Sequence, residues 1–142
     1  STDKRTLMQD WYTIQNADQI ASPALLIYPD RVAENIQRMI QLAGSVDKLR
    51  PHVKTHKLPQ LIQLQVALGI HKFKAATIAE AEMTAASGAA DVLLAYPLVG
   101  PNIRRFLTLQ AAYPQVTFAA LVDNVATLDA ISAQAVQAGQ SI

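Results

Sequence analysis

Residues Lys72–Gly100 read KFKAATIAEAEMTAASGAADVLLAYPLVG: a short apolar run, an alanine-rich stretch, and a second apolar run. KFKAAT and DVLLAY have the composition of buried strands, while AEAEMTAASG between them is helical in character and ends at Gly88. Thr77 and Glu80 stand at capping-box spacing where that helix should start. Strand, helix and strand within about 30 residues make a βαβ unit, whose helix is the crossover that parallel strands require.

The same alternation extends in both directions. Upstream lie ALLIY from Ala24, the helical DRVAENIQRMIQLAG, LRPHVK from Leu49 and the helical LPQLIQLQVALG. Downstream lie the helical NIRRFLTLQAAYP, VTFAALV from Val116 and the helical VATLDAISAQAVQAG. Asp30, Thr77 and Asn124 occupy expected N-cap positions, and glycines close several of the helices. Five strands are therefore expected, repeating about every 18 to 25 residues. Of the two folds that fit, a nucleotide-binding doubly wound sheet wants a glycine-rich turn after its first strand, and IYPDRV has no glycine. The fold expected is α/β, the N-terminal half of a TIM-type (β/α)8 barrel, because a complete barrel has eight strands and QSI stops where a sixth would begin. The chain reads as a piece of a longer protein. Residues 1–22, with Trp11 and Tyr12, are expected to form a lead-in on the outside or bottom of the barrel, and residues 23–142 the partial barrel.

Composition narrows the function. The 142 residues are 51% hydrophobic, enough for one domain with a sizeable core. Twelve basic against 11 acidic residues, with few aromatics, leave no basic face or stacking platform for nucleic acid. No apolar run approaches the ~20 residues needed to cross a bilayer, and STDKRTLMQD lacks the apolar core of a signal peptide. A soluble cytoplasmic protein is expected, without membrane or nucleic-acid partners. There is no cysteine, so thiolate chemistry is absent from this stretch.

The chemistry concentrates in RPHVKTHK, Arg50–Lys57, where five potentially cationic side chains share eight residues. Active groups in barrels sit at the C-terminal ends of strands, and Lys54 ends the second one. Continued strand geometry would set His52, Lys54 and His56 on one face and Val53 and Thr55 on the other. His52 and His56 would then lie roughly 13 Å apart, too far to share a metal. Two histidines four apart suit zinc only in a helix, which the β-branched Val53 and Thr55 disfavour. A lysine at a barrel mouth becomes nucleophilic when desolvation and nearby cations lower its pKa; Lys57, Arg50 and protonated histidines are candidate sources of that charge. A solvated loop rich in Lys and His is the plain alternative.

The run RPHVKTHK, preceded by SPALLIYPDRVAENI and followed by KFKAATIAEAEMTAASGAADVLLAYPLVG, resembles the D-threonine aldolase and D-serine dehydratase family. These are fold-type III pyridoxal-phosphate enzymes related to the N-terminal domain of alanine racemase. The resemblance covers about Ser22–Ile142 and is most specific in H-x-K-T-H-K. It implies that Lys54 carries pyridoxal 5'-phosphate as an internal aldimine and acts as acid or base once released. It implies a lyase acting on small D-amino acids, cleaving a 3-hydroxy D-amino acid to glycine and an aldehyde or dehydrating it to a keto acid and ammonia, with racemisation as an alternative. It further implies a homodimer and a divalent metal (Mn, Mg or Zn) whose ligands lie beyond these residues, in a C-terminal β domain. His52 is a candidate for the cofactor's face or a structural histidine, Thr77 a candidate cofactor contact or only a cap, and Tyr96 a candidate for the pocket or for packing. Asp123, Asn124, His71, Arg104 and Arg105 read as structural or solvated. Two rival classes stay open, a non-catalytic pyridoxal-phosphate-binding protein and a domain that binds no cofactor.

Overall fold

Proline and polar caps decide where the helices begin. Pro29, Pro59 and Pro101 open helices α1 (Pro29–Ala43), α2 (Pro59–Ala67) and α4 (Pro101–Ala112), at positions where a missing N–H removes no helical hydrogen bond. The Thr77 hydroxyl accepts from Glu80 N to open α3 (Ile78–Ala86), and the Asn124 side chain accepts from Thr127 N to open α5 (Val125–Ala138). Gly44 ends α1 in the left-handed conformation that glycine adopts without strain. Asp30 is not a cap: Tyr28 takes that position because Pro29 is already helical, and Asp30 sits in the first turn, where a carboxylate meets the positive end of the helix dipole.

The computed structural model describes residues 11–142. Three parallel strands, β1 (Lys72–Ala75), β2 (Asp91–Pro97) and β3 (Thr117–Leu121), pair in the order β1–β2–β3. Phe73 pairs with Val92, and Val92 with Phe118. Helices α3 and α4 are the crossovers, as the strand–helix–strand pattern of Lys72–Gly100 requires.

Two of the five expected strands are not strands. Ala24–Tyr28 runs without a ladder among the described residues, and Leu25 is 74% exposed. Apolar composition makes a strand only where a neighbouring edge accepts it. The Leu49–Lys54 segment makes a single parallel bridge, His52 with Lys74. Pro51 supplies a carbonyl but no N–H, so the ladder cannot continue through it.

Alternation on β1 and β2 sends Phe73, Ala75, Val92 and Leu94 toward the helices, where all four are almost fully buried. They join Ile62 of α2, Val53 and Ala81 and Ala85 of α3 in one core, and a second cluster joins Leu94 and Leu98 to Ile103, Phe106, Leu107 and Ile131. The opposite face, with Lys72, Lys74, Leu93 and Ala95, is only half-buried. Residues 1–10 of the expected lead-in lie outside the described residues. Trp11 and Tyr12 do meet the start of α1: the Arg31 guanidinium lies 3.8 Å from the Trp11 ring centre, and Tyr28 Oη donates to Tyr12 O.

At the N-terminal end of the sheet, Arg50 clamps three segments. Its guanidinium donates to both Asp91 carboxylate oxygens, at 2.7 and 2.9 Å, and to Phe73 O at 3.2 Å. This bond raises the arginine's pKa and holds the Asp91 carboxyl below its usual range. The native state therefore binds fewer protons than the unfolded chain in acid, so the contribution is present above about pH 4 and is lost as pH falls through the native value. With the two side chains 31% and 24% exposed, Asp91→Asn should cost about 1–2 kcal/mol in urea unfolding at pH 7 and flatten the acid limb of the stability profile.

Candidate functional site

The lysine-bearing segment is docked by backbone before any side chain acts. Lys74 N donates to Pro51 O and Val53 N donates to Lys74 O, each at 2.9 Å, so this segment lies parallel to β1 and Val53 is fully buried. Lys57 N then donates to Val53 O at 2.9 Å, and Lys57 takes a φ of 49°. The extended geometry expected through His56 thus stops at Val53, and Lys54–His56 form a turn. Burying Val53 anchors the start of the turn and leaves Lys54 and Thr55 in solvent. Among the described residues no carboxylate lies within ion-pair distance of Lys54.

Both motif histidines face inward on their own turn. His52 Nδ1 accepts from Lys54 N at 3.2 Å, and His56 Nδ1 accepts from Leu58 N at 3.1 Å. A ring nitrogen that accepts carries no proton, so each imidazole is neutral with its proton on Nε2. Loss of solvation, followed by the nearby Lys54 and Lys74 cations, lowers the His52 pKa; Glu80 and a bond to the Lys74 backbone oppose the shift. Desolvation alone lowers that of His56. Protonated histidines are therefore not the source of positive charge beside Lys54, and Arg50 is committed to Asp91. Lys74 faces His52 across the bridge and acts on that imidazole as a cation. The period of two in Lys72-Phe73-Lys74-Ala75 was the sequence signal for it, since it sets both lysines opposite Phe73 and Ala75.

Thr77 and Tyr96 form a separate pair at the ends of β1 and β2. They line one hollow of about 380 Å³ with Leu94, Leu98, Asn102 and Arg105, and neither His52 nor Lys54 lines it. Tyr96 is 66% exposed. The remaining residues are structural: His71 Nδ1 meets Gly69 O at the end of α2, and Asp123 accepts from the Asn124 side chain that caps α5. Arg104 is exposed, and Arg105 donates to Asn102 at the rim of the hollow.

Glu80 was visible in the sequence only as half of a capping box. Its side chain is 6% exposed, its Oε2 accepts from Ala76 N at 2.7 Å, and its Oε1 lies 3.4 Å from Lys57 Nζ. The reciprocal arm of the box therefore closes one residue early, on Ala76 rather than on the cap residue Thr77. Among the described residues no three His, Cys, Asp or Glu side chains come together to hold a metal. No helix of those residues is long and apolar enough to cross a membrane.

The neutral imidazoles carry a pH signature. Their native pKa values lie below the unfolded value of about 6.5, so between the two the unfolded chain binds more protons and stability rises with pH. Stability should fall as pH drops below about 6.5 toward the native values, and a His52→Gln/His56→Gln variant should show a shallower fall between pH 7.5 and 5.5 by urea unfolding.

The chain is similar to known proteins in sequence and in fold. Residues 27–142 match the alanine racemase N-terminal domain. The chain is 33% identical over 121 residues to a D-threo-3-hydroxyaspartate dehydratase of Delftia sp. (strain HT23), across 84% of this chain and 31% of that protein. It is 30% identical over 125 residues to a D-threonine aldolase of Arthrobacter sp, across 87% of this chain and 32% of that protein. The crystal structure of a D-threonine aldolase from Filomicrobium marinum superposes with a TM-score of 0.77 at 28% identity, over 89% of this chain and 34% of that one. The chain thus spans about a third of the length of the relatives it matches. The chain belongs to the alanine racemase N-terminal domain family, the fold-type III pyridoxal-phosphate enzymes.

Proposed function

We propose that the protein acts on 3-hydroxy D-amino acids as a pyridoxal-phosphate lyase, with Lys54 as the residue that holds the cofactor. One observation carries the reading: the Lys54 side chain stands in solvent on a turn docked at the C-terminal end of the parallel sheet, with no carboxylate partner among the described residues. Those residues fit a carbonyl cofactor, because imine formation needs an accessible amine and the Lys54 side chain is exposed with no ion-pair partner among the described residues. Bound there, the cofactor supplies an electron sink for the charge left on Cα when one of its bonds breaks.

The chain's own residues do the rest. Lys54 holds the cofactor through its amine and, once displaced by a substrate amine, moves a proton to or from the reacting carbon. His52, kept neutral with its Nε2 proton outward from the turn's backbone bond, is a donor beside that amine. Thr77 and Tyr96, at the ends of the next two strands, are assigned to the rim that the cofactor and substrate face. The hydroxyl of Thr77 accepts the Glu80 N–H and keeps its own proton for a ligand. The names of the relatives support both cleavage and dehydration as the class of reaction.

The test uses the full-length protein loaded with pyridoxal phosphate, reduced with borohydride, digested and mapped by mass spectrometry. The phosphopyridoxyl group should appear on Lys54, and Lys54→Ala should lose it and reduce turnover of D-threonine, D-serine and D-threo-3-hydroxyaspartate to background. Formation of glycine and acetaldehyde from D-threonine would mark an aldolase; ammonia and a keto acid from the other two would mark a dehydratase. An unmodified RPHVKTHK peptide from cofactor-loaded protein would overturn the assignment.

A further inference from the structure

The motif offers two lysines three residues apart on one tight turn, and a cofactor aldehyde has to choose between them. Lys57 N closes the turn on Val53 O, so both side chains leave from the same small loop. Their surroundings differ in one respect. Lys57 Nζ lies 3.4 Å from Glu80 Oε1, and that carboxylate is 6% exposed although the lysine stem is 62% exposed. Glu80 is itself immobilised from several directions: Oε2 accepts from Ala76 N at 2.7 Å, its backbone N–H is taken by the Thr77 hydroxyl, and its backbone carbonyl accepts from Thr84 Oγ1 at 2.6 Å. The carboxylate is thus a fixed negative charge set against the lysine that ends the turn. Lys54 has no such partner among the described residues.

We propose that Glu80 is a positioning residue that assigns cofactor attachment to Lys54, by holding the Lys57 ammonium in an ion pair directed away from the aldehyde. The inference rests on the reading that Lys54 holds pyridoxal phosphate and deepens it. The physical reason is that an ammonium has no lone pair. Imine formation joins the lysine nitrogen to the aldehyde carbon and expels the carbonyl oxygen as water, and it begins only from the neutral amine. The Lys57 nitrogen is engaged by a fixed carboxylate on α3 and directed toward it, while the Lys54 nitrogen has no ion-pair partner among the described residues and is left to reach the aldehyde. Lys57 closes the turn in a left-handed backbone conformation that a residue with a Cβ rarely adopts, at φ 49°, which fixes where its side chain leaves the loop. Glu80 therefore sets the direction of the competing lysine.

The experiment maps borohydride-trapped adducts on the full-length, cofactor-loaded protein and on four variants, with circular dichroism to establish folding. Wild type should carry the adduct on Lys54. In Lys54→Ala the Glu80–Lys57 pair remains, and Lys57 should stay unmodified in excess cofactor. Glu80→Gln keeps an acceptor for Ala76 N and removes the charge that holds Lys57, so the share of adduct on Lys57 should rise several-fold over the wild-type share. The Lys54→Ala/Glu80→Gln double variant should then attach cofactor at Lys57. In Glu80→Gln/Lys57→Met, with the competitor gone, loading of Lys54 should return to the wild-type level. Modification of Lys57 in Lys54→Ala, or an unchanged adduct distribution in Glu80→Gln, overturns the inference and leaves the Lys54 reading standing. Loading of Lys54 that stays low in Glu80→Gln/Lys57→Met also overturns it, since Glu80 would then act only as general support for the fold. A wild-type protein without adduct on Lys54 overturns both readings together. Should Glu80→Gln not fold, Lys54→Ala alone decides, by whether Lys57 takes the cofactor.

Discussion

Two backbone hydrogen bonds, Lys74 N to Pro51 O and Val53 N to Lys74 O, set the position of everything chemical in this chain. They are the whole of the ladder between the lysine-bearing segment and the sheet, because Pro51 has no N–H to extend it. Arg50 reinforces them at the opposite end, tying the same segment to Phe73 O and to Asp91 on the next strand. Between the clamp and the turn, Val53 is inserted fully into the core beside Ile62 and Phe73. A short segment with little ladder of its own is thus held at both ends, and the turn that follows emerges at a defined point on the rim.

The electrostatics of that rim follow from which groups are committed elsewhere. Arg50 is bound to Asp91, the two motif histidines give their Nδ1 lone pairs to backbone N–H groups, and Lys57 is bound to Glu80. What remains near Lys54 is a neutral imidazole and the Lys74 cation. A cluster that reads as five cations becomes, once folded, one uncommitted amine among neutralised groups.

Much of the architecture was legible in sequence where the signal is local. The helices capped by Thr77 and Asn124 begin directly after those residues because caps act within one turn. The strands flanked by crossover helices, KFKA and DVLLAYP, fall where their apolar alternation indicated. ALLIY and LRPHVK have equal or better strand composition and failed as strands, since pairing depends on a neighbour that composition does not reveal. For the site, the importance of the RPHVKTHK run was legible, and the roles within it were not. Arg50 went to a distant Asp91, 41 residues on, and the histidines turned to their own backbone.

The sequence by itself determined the βαβ order, the caps at Thr77 and Asn124 and the clustering of lysines and histidines in one short run, because each rests on residues adjacent in the chain. Tertiary structure alone decided which of those lysines is free. The carboxylate that engages Lys57 arrives from Glu80 on α3, and the cation beside His52 arrives from Lys74 on β1, both across sequence gaps that only the parallel sheet closes. Charge is a property of residues, but whether a charge is compensated depends on what lies within a few ångströms, and that is fixed by folding.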